Sequence, residues 1–367
     1  MIISAHMNRS LLSKGALAMR RQQSAVTTIG KSRIQTKVQK IPFSASPSSS
    51  ATGIARDTAL IGFIGLGNMG FPMCMNLLRQ DDDDGPLVTL LALDTNPDAV
   101  AKLAAESNGR AEAASSVQDI GAASCDVVFT MLPSCDVVQS VYDGLIQGAD
   151  NSSNDRSTLF VDCSTVAPSI SRMVHNEVIK KGHSAMDAPV SGGVKGATDG
   201  TLTFMAGSDV ASLEKAMPYL NRMGRAVIHC GGSGTGSATK LCNNLALAAQ
   251  MAGICEAMNL GEALGVDPIV LADVMNASTA KCWSCEVNNP HPEVAKVRGM
   301  TAAAMNYEGG FASKLMLKDV GLAVEAAQDE GIAVPIGAST KELYRMIDTR
   351  GMGAKDFGVL LQFLRGK

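Results

Sequence analysis

Charge is sparse in this chain. Of its 367 residues only 18% are Asp, Glu, Lys or Arg, against 46% apolar residues and 36 glycines. That excludes the low-hydrophobicity, high-charge profile of a disordered protein and describes a Gly-rich α/β protein with room for about two domains. Acidic residues are absent from the first 56 positions, which carry nine Lys or Arg. The rest of the chain carries 23 basic and 35 acidic residues, a formal charge near −12. An acidic body argues against a nucleic-acid groove or an anionic membrane surface as its main partner, and favours a small molecule.

A disulfide framework is also missing. Nine cysteines, an odd number scattered over a long chain, imply a reducing compartment. Cys282 and Cys285 form the one close pair, but with only His291 nearby a zinc site would be incomplete, so two ordinary thiols and no metal are expected. No uncharged run is a convincing membrane span. Thr58 to Leu78 is long enough, but it contains Gly62, Gly65, Gly67, Gly70, Pro72, Asn68 and Asn76, which a strand, turn and helix explain better. No repeat of 20 to 50 residues is present. The basic, Ser-rich, acid-free residues 1–55 have the profile of a disordered mitochondrial transit peptide, which would deliver the chain to the matrix.

What is there reads as alternating strands and helices. Ala59 to Ile64 is a short buried strand, followed by a glycine turn and a helix from Met69 to about Arg79. Asp81 to Asp84 is a solvated loop tip, and Leu87 to Leu93 is the next strand. Further strands are expected at Asp126 to Leu132, Thr158 to Asp162 and His183 to Asp187, giving a parallel sheet covered by helices on both faces. Residues 236–263 form one long Ala/Leu/Met-rich helical run, and helical patterns continue to the end. The expected fold is an α/β Rossmann-type dinucleotide-binding domain over residues 57–230, then a linking helix and an all-α domain over 231–367.

Gly65-Leu66-Gly67-Asn68-Met69-Gly70 joins the first strand to the first helix. In such a turn the first glycine permits the tight bend, the second lets the backbone approach a pyrophosphate, and the third lets helix and strand pack closely. Asp94 follows the second strand, 24 residues after Gly70, where a carboxylate binds the adenosine ribose and repels a 2′-phosphate, selecting NAD. The same side chain is also suited to capping the turn Asp94-Thr-Asn-Pro. None of the four tyrosines has a lysine four residues on, which closes the short-chain dehydrogenase route. Lys240 and Asn244 share one helix face, one turn apart, in a segment otherwise too apolar to explain a lysine. A lysine titrating near neutrality serves hydride transfer as acid and base, whereas a snorkelling lysine at a helix start is the structural alternative. Ser191, Gly192 and Gly193 offer a hydroxyl and unobstructed amides that can cradle a carboxylate, or simply form a tight turn.

Together with Asp162-Cys-Ser-Thr165, Asp187-Ala-Pro-Val-Ser-Gly-Gly193 and Lys318-Asp319, these segments resemble the β-hydroxyacid dehydrogenase family in order and spacing, over residues 60–365. Within it they are most similar to the branch that oxidises 3-hydroxyisobutyrate in valine breakdown. The resemblance implies that Lys240 is the catalytic lysine and Asn244 its substrate-binding partner. It implies that Ser191, Gly192 and Gly193 hold the substrate carboxylate, and that Leu66, Asn68, Met69, Leu132, Pro133, Thr165 and Lys318 contact NAD. It further implies a small hydroxyacid substrate and a homodimer or homotetramer. Sister reductases of glyoxylate or succinic semialdehyde, which usually prefer NADPH, stand as the alternative, and Asp94 speaks against them. Val137 departs from the family pattern, standing where an asparagine is expected against the cofactor.

Overall fold

A computed structural model describes residues 58–79, 86–150, 156–299 and 301–366. The presumed transit peptide and the Asp81 to Asp84 loop lie outside the described residues. The first strand, β1 (Thr58–Ile64), is buried on both faces, the signature of a central strand in a parallel sheet. It lies between β2 (Leu87–Leu93) and β4 (Val127–Thr130), while β3 (Ala111–Ala113) pairs with β2, and β5 (Leu159–Asp162) and β6 (Ser184–Asp187) continue beyond β4. All these pairings are parallel. The chain order therefore reverses between β1 and β4, which places a ligand crevice at the carboxyl ends of those two strands.

The sheet then departs from the all-parallel expectation. β7 (Val190–Ser191) and β6 both run antiparallel to β8 (Leu202–Gly207), and β9 (Gly224–Gly231) runs parallel to β8. A short return through one small helix suffices for an antiparallel neighbour, whereas a parallel one needs a long crossover. In chain order the helices of this part are α1 (Gly70–Leu78), α2 (Pro97–Glu106), α3 (Val117–Ala122), α4 (Cys135–Asp150), α5 (Pro168–Lys180), α6 (Gly193–Asp199) and α7 (Val210–Met223). They cover both faces. One core gathers Phe63, Met73, Leu77, Phe129 and Leu220, and the other Ile120, Tyr142, Phe160, Val174 and Val178.

Next comes α8 (Thr235–Ala263), 29 residues and about 43 Å long. Its start packs on β8, β9 and α5, and its later turns enter a third core with Met316, Val320, Tyr344 and Phe357. Serving two cores in succession, it lacks a single apolar stripe. Beyond it lie α9 (Pro268–Ala277), α10 (Trp283–Glu286), α11 (Pro292–Arg298), α12 (Ser313–Asp329), α13 (Pro335–Ile347) and α14 (Leu360–Leu364). Among the described residues no helix is long and apolar enough to cross a membrane.

Candidate active site

The glycine turn lies at the carboxyl end of β1. Gly65 has φ +99°, and a Cβ there would come within 2.3 Å of the Met131 carbonyl oxygen. A Cβ on Gly70 would stand 1.8 Å from the Gly65 carbonyl oxygen, so the third glycine lets α1 approach the turn. A Cβ on Gly67 would meet no atom within 4 Å. No side chain caps the start of α1, and its first turn holds no acidic residue, leaving the positive end of the helix facing that space. These features fit a dinucleotide pyrophosphate. Asn68 and Met69 complete the turn, beside a cavity of about 660 Å³ lined by Gly67, Asn68, Phe71, Asn96 and Lys102 among others.

Asp94 is held against this turn. Its Oδ2 accepts the Leu66 N–H at 2.5 Å and its Oδ1 accepts the Asn96 N–H at 2.7 Å. It thus caps its own turn and faces the glycine loop at once, with carboxylate lone pairs left for ribose hydroxyls.

Across the switch point, a buried polar chain sets the loops after β4 and β5. Asp162 accepts from Thr130 Oγ1 at 2.8 Å and from the Ser164 N–H at 3.1 Å, while Ser164 Oγ accepts the Leu132 N–H at 2.8 Å. Lys318, on α12, reaches this edge. Its Nζ donates to the carbonyl oxygens of Thr165 at 2.9 Å and Pro133 at 3.3 Å. Pro133, Thr165 and Lys318 therefore meet, although 153 residues separate the last two, and Leu132 is tied to the same edge through Ser164. The side chain of Val137, in the first turn of α4, is exposed and offers no hydrogen bond to a ligand.

Lys240 and Asn244 are both buried, with 8% and 2% exposure. Asn244 Nδ2 donates to Asp319 Oδ2 at 2.7 Å, its Oδ1 accepts from Asn243 at 3.0 Å, and Lys318 Nζ stands 3.4 Å from Asp319 Oδ1. Burial pushes the Lys240 amine below its ordinary value, the Asp319 carboxylate opposes that, and the Lys318 ammonium adds to it. Burial likewise raises Asp319, against the pull of Lys318 and Lys240. A buried amine lowered in this way gives up its proton more readily than an exposed lysine. Asp319 stood in the family motif without a role of its own. The signal was a carboxylate beside a lysine in an otherwise amphipathic helix, but its partner Asn244 lies 75 residues away.

Ser191 ends β7, and Gly192 and Gly193 follow with φ of +139° and +62°. A Cβ on Gly193 would meet nothing within 4 Å, whereas one on Gly192 would stand 3.2 Å from Leu202 Cδ2, and no side chain caps the start of α6, so the turn is open on its Gly193 side. Among the described residues no cluster of three or more His, Cys, Asp or Glu is arranged as a metal site.

Family models match almost the whole described chain. Residues 60–232 match the NAD binding domain of 6-phosphogluconate dehydrogenase, and residues 234–364 match the NAD-binding module of NADP-dependent 3-hydroxyisobutyrate dehydrogenase. The chain is 40% identical to a probable mitochondrial 3-hydroxyisobutyrate dehydrogenase of Dictyostelium discoideum, over 83% of this chain and 90% of that protein. It is 42% identical to an NAD-dependent L-serine dehydrogenase of Pseudomonas aeruginosa, over 82% of this chain and 96% of that one. The structure of a Mycobacterium tuberculosis 3-hydroxyisobutyrate dehydrogenase with L-serine superposes with a TM-score of 0.76 at 35% identity, covering 84% of this chain and 99% of the other.

Proposed function

The chain belongs to the 3-hydroxyisobutyrate dehydrogenase family and is an NAD-dependent oxidoreductase of small hydroxyacids, and from that premise we propose that it oxidises the primary alcohol of 3-hydroxyisobutyrate to methylmalonate semialdehyde in valine breakdown. The observation that carries this is Lys240, a buried amine pushed below its ordinary value, one turn from Asn244 and beside the edge that Lys318 bridges. The Gly65 to Gly70 turn, Asp94 and the Leu132, Pro133, Thr165 and Lys318 edge would hold NAD, which would supply the hydride acceptor. The protein's own part is proton handling and orientation. Lys240 Nζ takes the hydroxyl proton as the carbinol carbon loses its hydride. Asn244 cannot titrate and orients the same hydroxyl. Ser191 Oγ and the amides of Gly192 and Gly193 hold the carboxylate at the other end, which decides the carbon that faces the nicotinamide.

L-serine is the second reading, because a 42% identical relative is named for it. Both acids carry a CH₂OH and a carboxylate on one carbon and differ there in methyl against ammonium. Initial rates with NAD and with NADP on 3-hydroxyisobutyrate, L-serine, and the reverse reduction of glyoxylate and succinic semialdehyde separate the readings. The expected result is the highest kcat/KM for 3-hydroxyisobutyrate with NAD. A higher value for L-serine, or for either aldehyde with NADPH, would replace the proposed substrate.

Residues 1–55 direct import into mitochondria in this reading, supported by their acid-free, basic composition and by a relative named as mitochondrial. Deleting residues 1–50 should keep the protein in the cytosol with its melting temperature and activity unchanged. A large loss of stability on that deletion would show the segment to be part of the fold.

A further inference from the structure

Resting on the reading of Lys240 as base and of Ser191 to Gly193 as carboxylate cradle, we propose that Asp187 is a positioning residue that fixes the distance between the two. Asp187 ends β6 and is fully buried. Its Oδ1 accepts the Gly234 N–H and its Oδ2 the Ser237 N–H, each at 2.7 Å. Those amides open α8, whose own N-cap, Gly234, has no side chain to offer. The carboxylate therefore caps the helix bidentately, and the positive helix end strengthens both bonds. Lys240 follows three residues after Ser237, within one helical turn. Ser191 follows four residues after Asp187, across Ala188, Pro189 and Val190. One buried carboxylate is thus joined to the base through one turn of helix and to the cradle through one short segment.

Two glycines make room for this group. A Cβ on Gly207 would lie 2.5 Å from Asp187 Oδ1, and one on Gly236 would lie 2.9 Å from Oδ2. Flanking bonds hold the same helix start to α5, with Ser171 Oγ 2.8 Å from Ser237 Oγ and His175 Nδ1 2.6 Å from Ser233 Oγ. His175 Nδ1 stands 4.0 Å from Asp187 Oδ1, and burial lowers its pKa to about 4, so it faces the carboxylate as a neutral ring. This cap differs from those of the other helices. The starts of α5 and α12 have no side-chain cap, and α2, α3, α7 and α9 are capped by their own N-cap residues. The carboxylate on α8 comes instead from a strand 47 residues earlier.

Asp187→Asn keeps the side-chain volume but turns one acceptor into a donor facing an amide N–H. It is expected to lower kcat about 10- to 100-fold, the effect of a misplacement near 1 Å, and to leave NAD affinity, read by fluorescence titration, within about two-fold of wild type. The deuterium isotope effect on kcat, with substrate labelled at the carbinol carbon, should rise as hydride transfer becomes slower than product release. Ser237→Pro removes one of the two donors, together with the hydroxyl bond to Ser171, at a position in the first helical turn and leaves Asp187 intact; Ser237→Ala, which loses only the hydroxyl bond, is its reference and should stay close to wild type. Ser237→Pro is expected to lower kcat and raise the isotope effect in the same way, to a smaller extent. Val178→Ala, on the buried face of α5, serves as the control, with a lowered melting temperature but unchanged kcat and isotope effect. Wild-type kcat and isotope effect in both Asp187→Asn and Ser237→Pro would overturn the proposal, as would the same losses in Val178→Ala. Lys240→Ala is measured in parallel. If it keeps its kcat, the reading of Lys240 fails; if it is inactive while Asp187→Asn is normal, only the positioning role fails.

Discussion

Lys240→Ala is expected to lower kcat by about 10² to 10⁴ while NAD affinity stays close to wild type. The affinity should survive because the Gly65 to Gly70 turn, Asp94 and the Lys318 bonds to Thr165 and Pro133 do not pass through Lys240. The pH dependence has a definite sign. With Lys240 as the proposed base, the neutral amine takes the proton in alcohol oxidation, so kcat is expected to rise with pH through the Lys240 pKa and to fall as the amine becomes protonated at lower pH. Burial moves that limb below the ordinary lysine range, Asp319 opposes the movement and Lys318 assists it. In aldehyde reduction the ammonium is the required form and the sign reverses. Lys240→Ala should remove the limb, and Lys240→Arg should be as inactive as alanine because a guanidinium does not deprotonate there. A Lys240→Ala enzyme with the wild-type limb would move the search for the base to Lys318.

Gly67→Val is expected to reduce NAD affinity about 100-fold with almost no change in melting temperature. The added side chain enters open space, since a Cβ there finds nothing within 4 Å and Gly67 is exposed. A surface change of that kind usually alters stability by about 0.5 kcal/mol or less. It does occupy the space the pyrophosphate needs, and losing one or two charged hydrogen bonds of about 1.5–3 kcal/mol each accounts for the loss of affinity. Gly70→Ala should behave differently, because its Cβ would stand 1.8 Å from the Gly65 carbonyl oxygen. There the turn itself must move, so melting temperature and affinity should fall together. Wild-type NAD affinity in Gly67→Val, measured by calorimetry, would mean that the pyrophosphate does not cross this turn.

The glycine turn was legible because its geometry is local. Gly65, Gly67 and Gly70 lie within six residues, and Asp94 closes the next strand, so sequence spacing alone brings Asp94 to the Leu66 N–H. The strands β1, β2, β4, β5 and β6 were legible as short buried runs; β2 has the expected ends, and the others differ by at most two residues at an end, where strands fray. The edge formed by β7, β8 and β9 was not. β7 is two residues long, and the mixed directions there are set by tertiary pairing that no local period encodes. Lys240 stood out because an apolar helix otherwise gives no reason for a lysine. The carboxylates that set its surroundings did not stand out. Asp187 and Asp319 find their partners 47 to 75 residues away, and a carboxylate in a sequence carries no mark of whether water or a helix amide will satisfy it.

Chemical rescue tests the central claim most directly. In the Lys240→Ala enzyme, single-turnover formation of NADH from bound NAD and 3-hydroxyisobutyrate is followed by absorbance while small primary amines are added. If Lys240 is the base, the rate should rise in proportion to the free-base concentration of the amine, and stronger bases should give larger slopes until they become too bulky for the vacated space. A rate that stays at the alanine level across all amines, with NAD and hydroxyacid still bound, would contradict the assignment of proton transfer to Lys240.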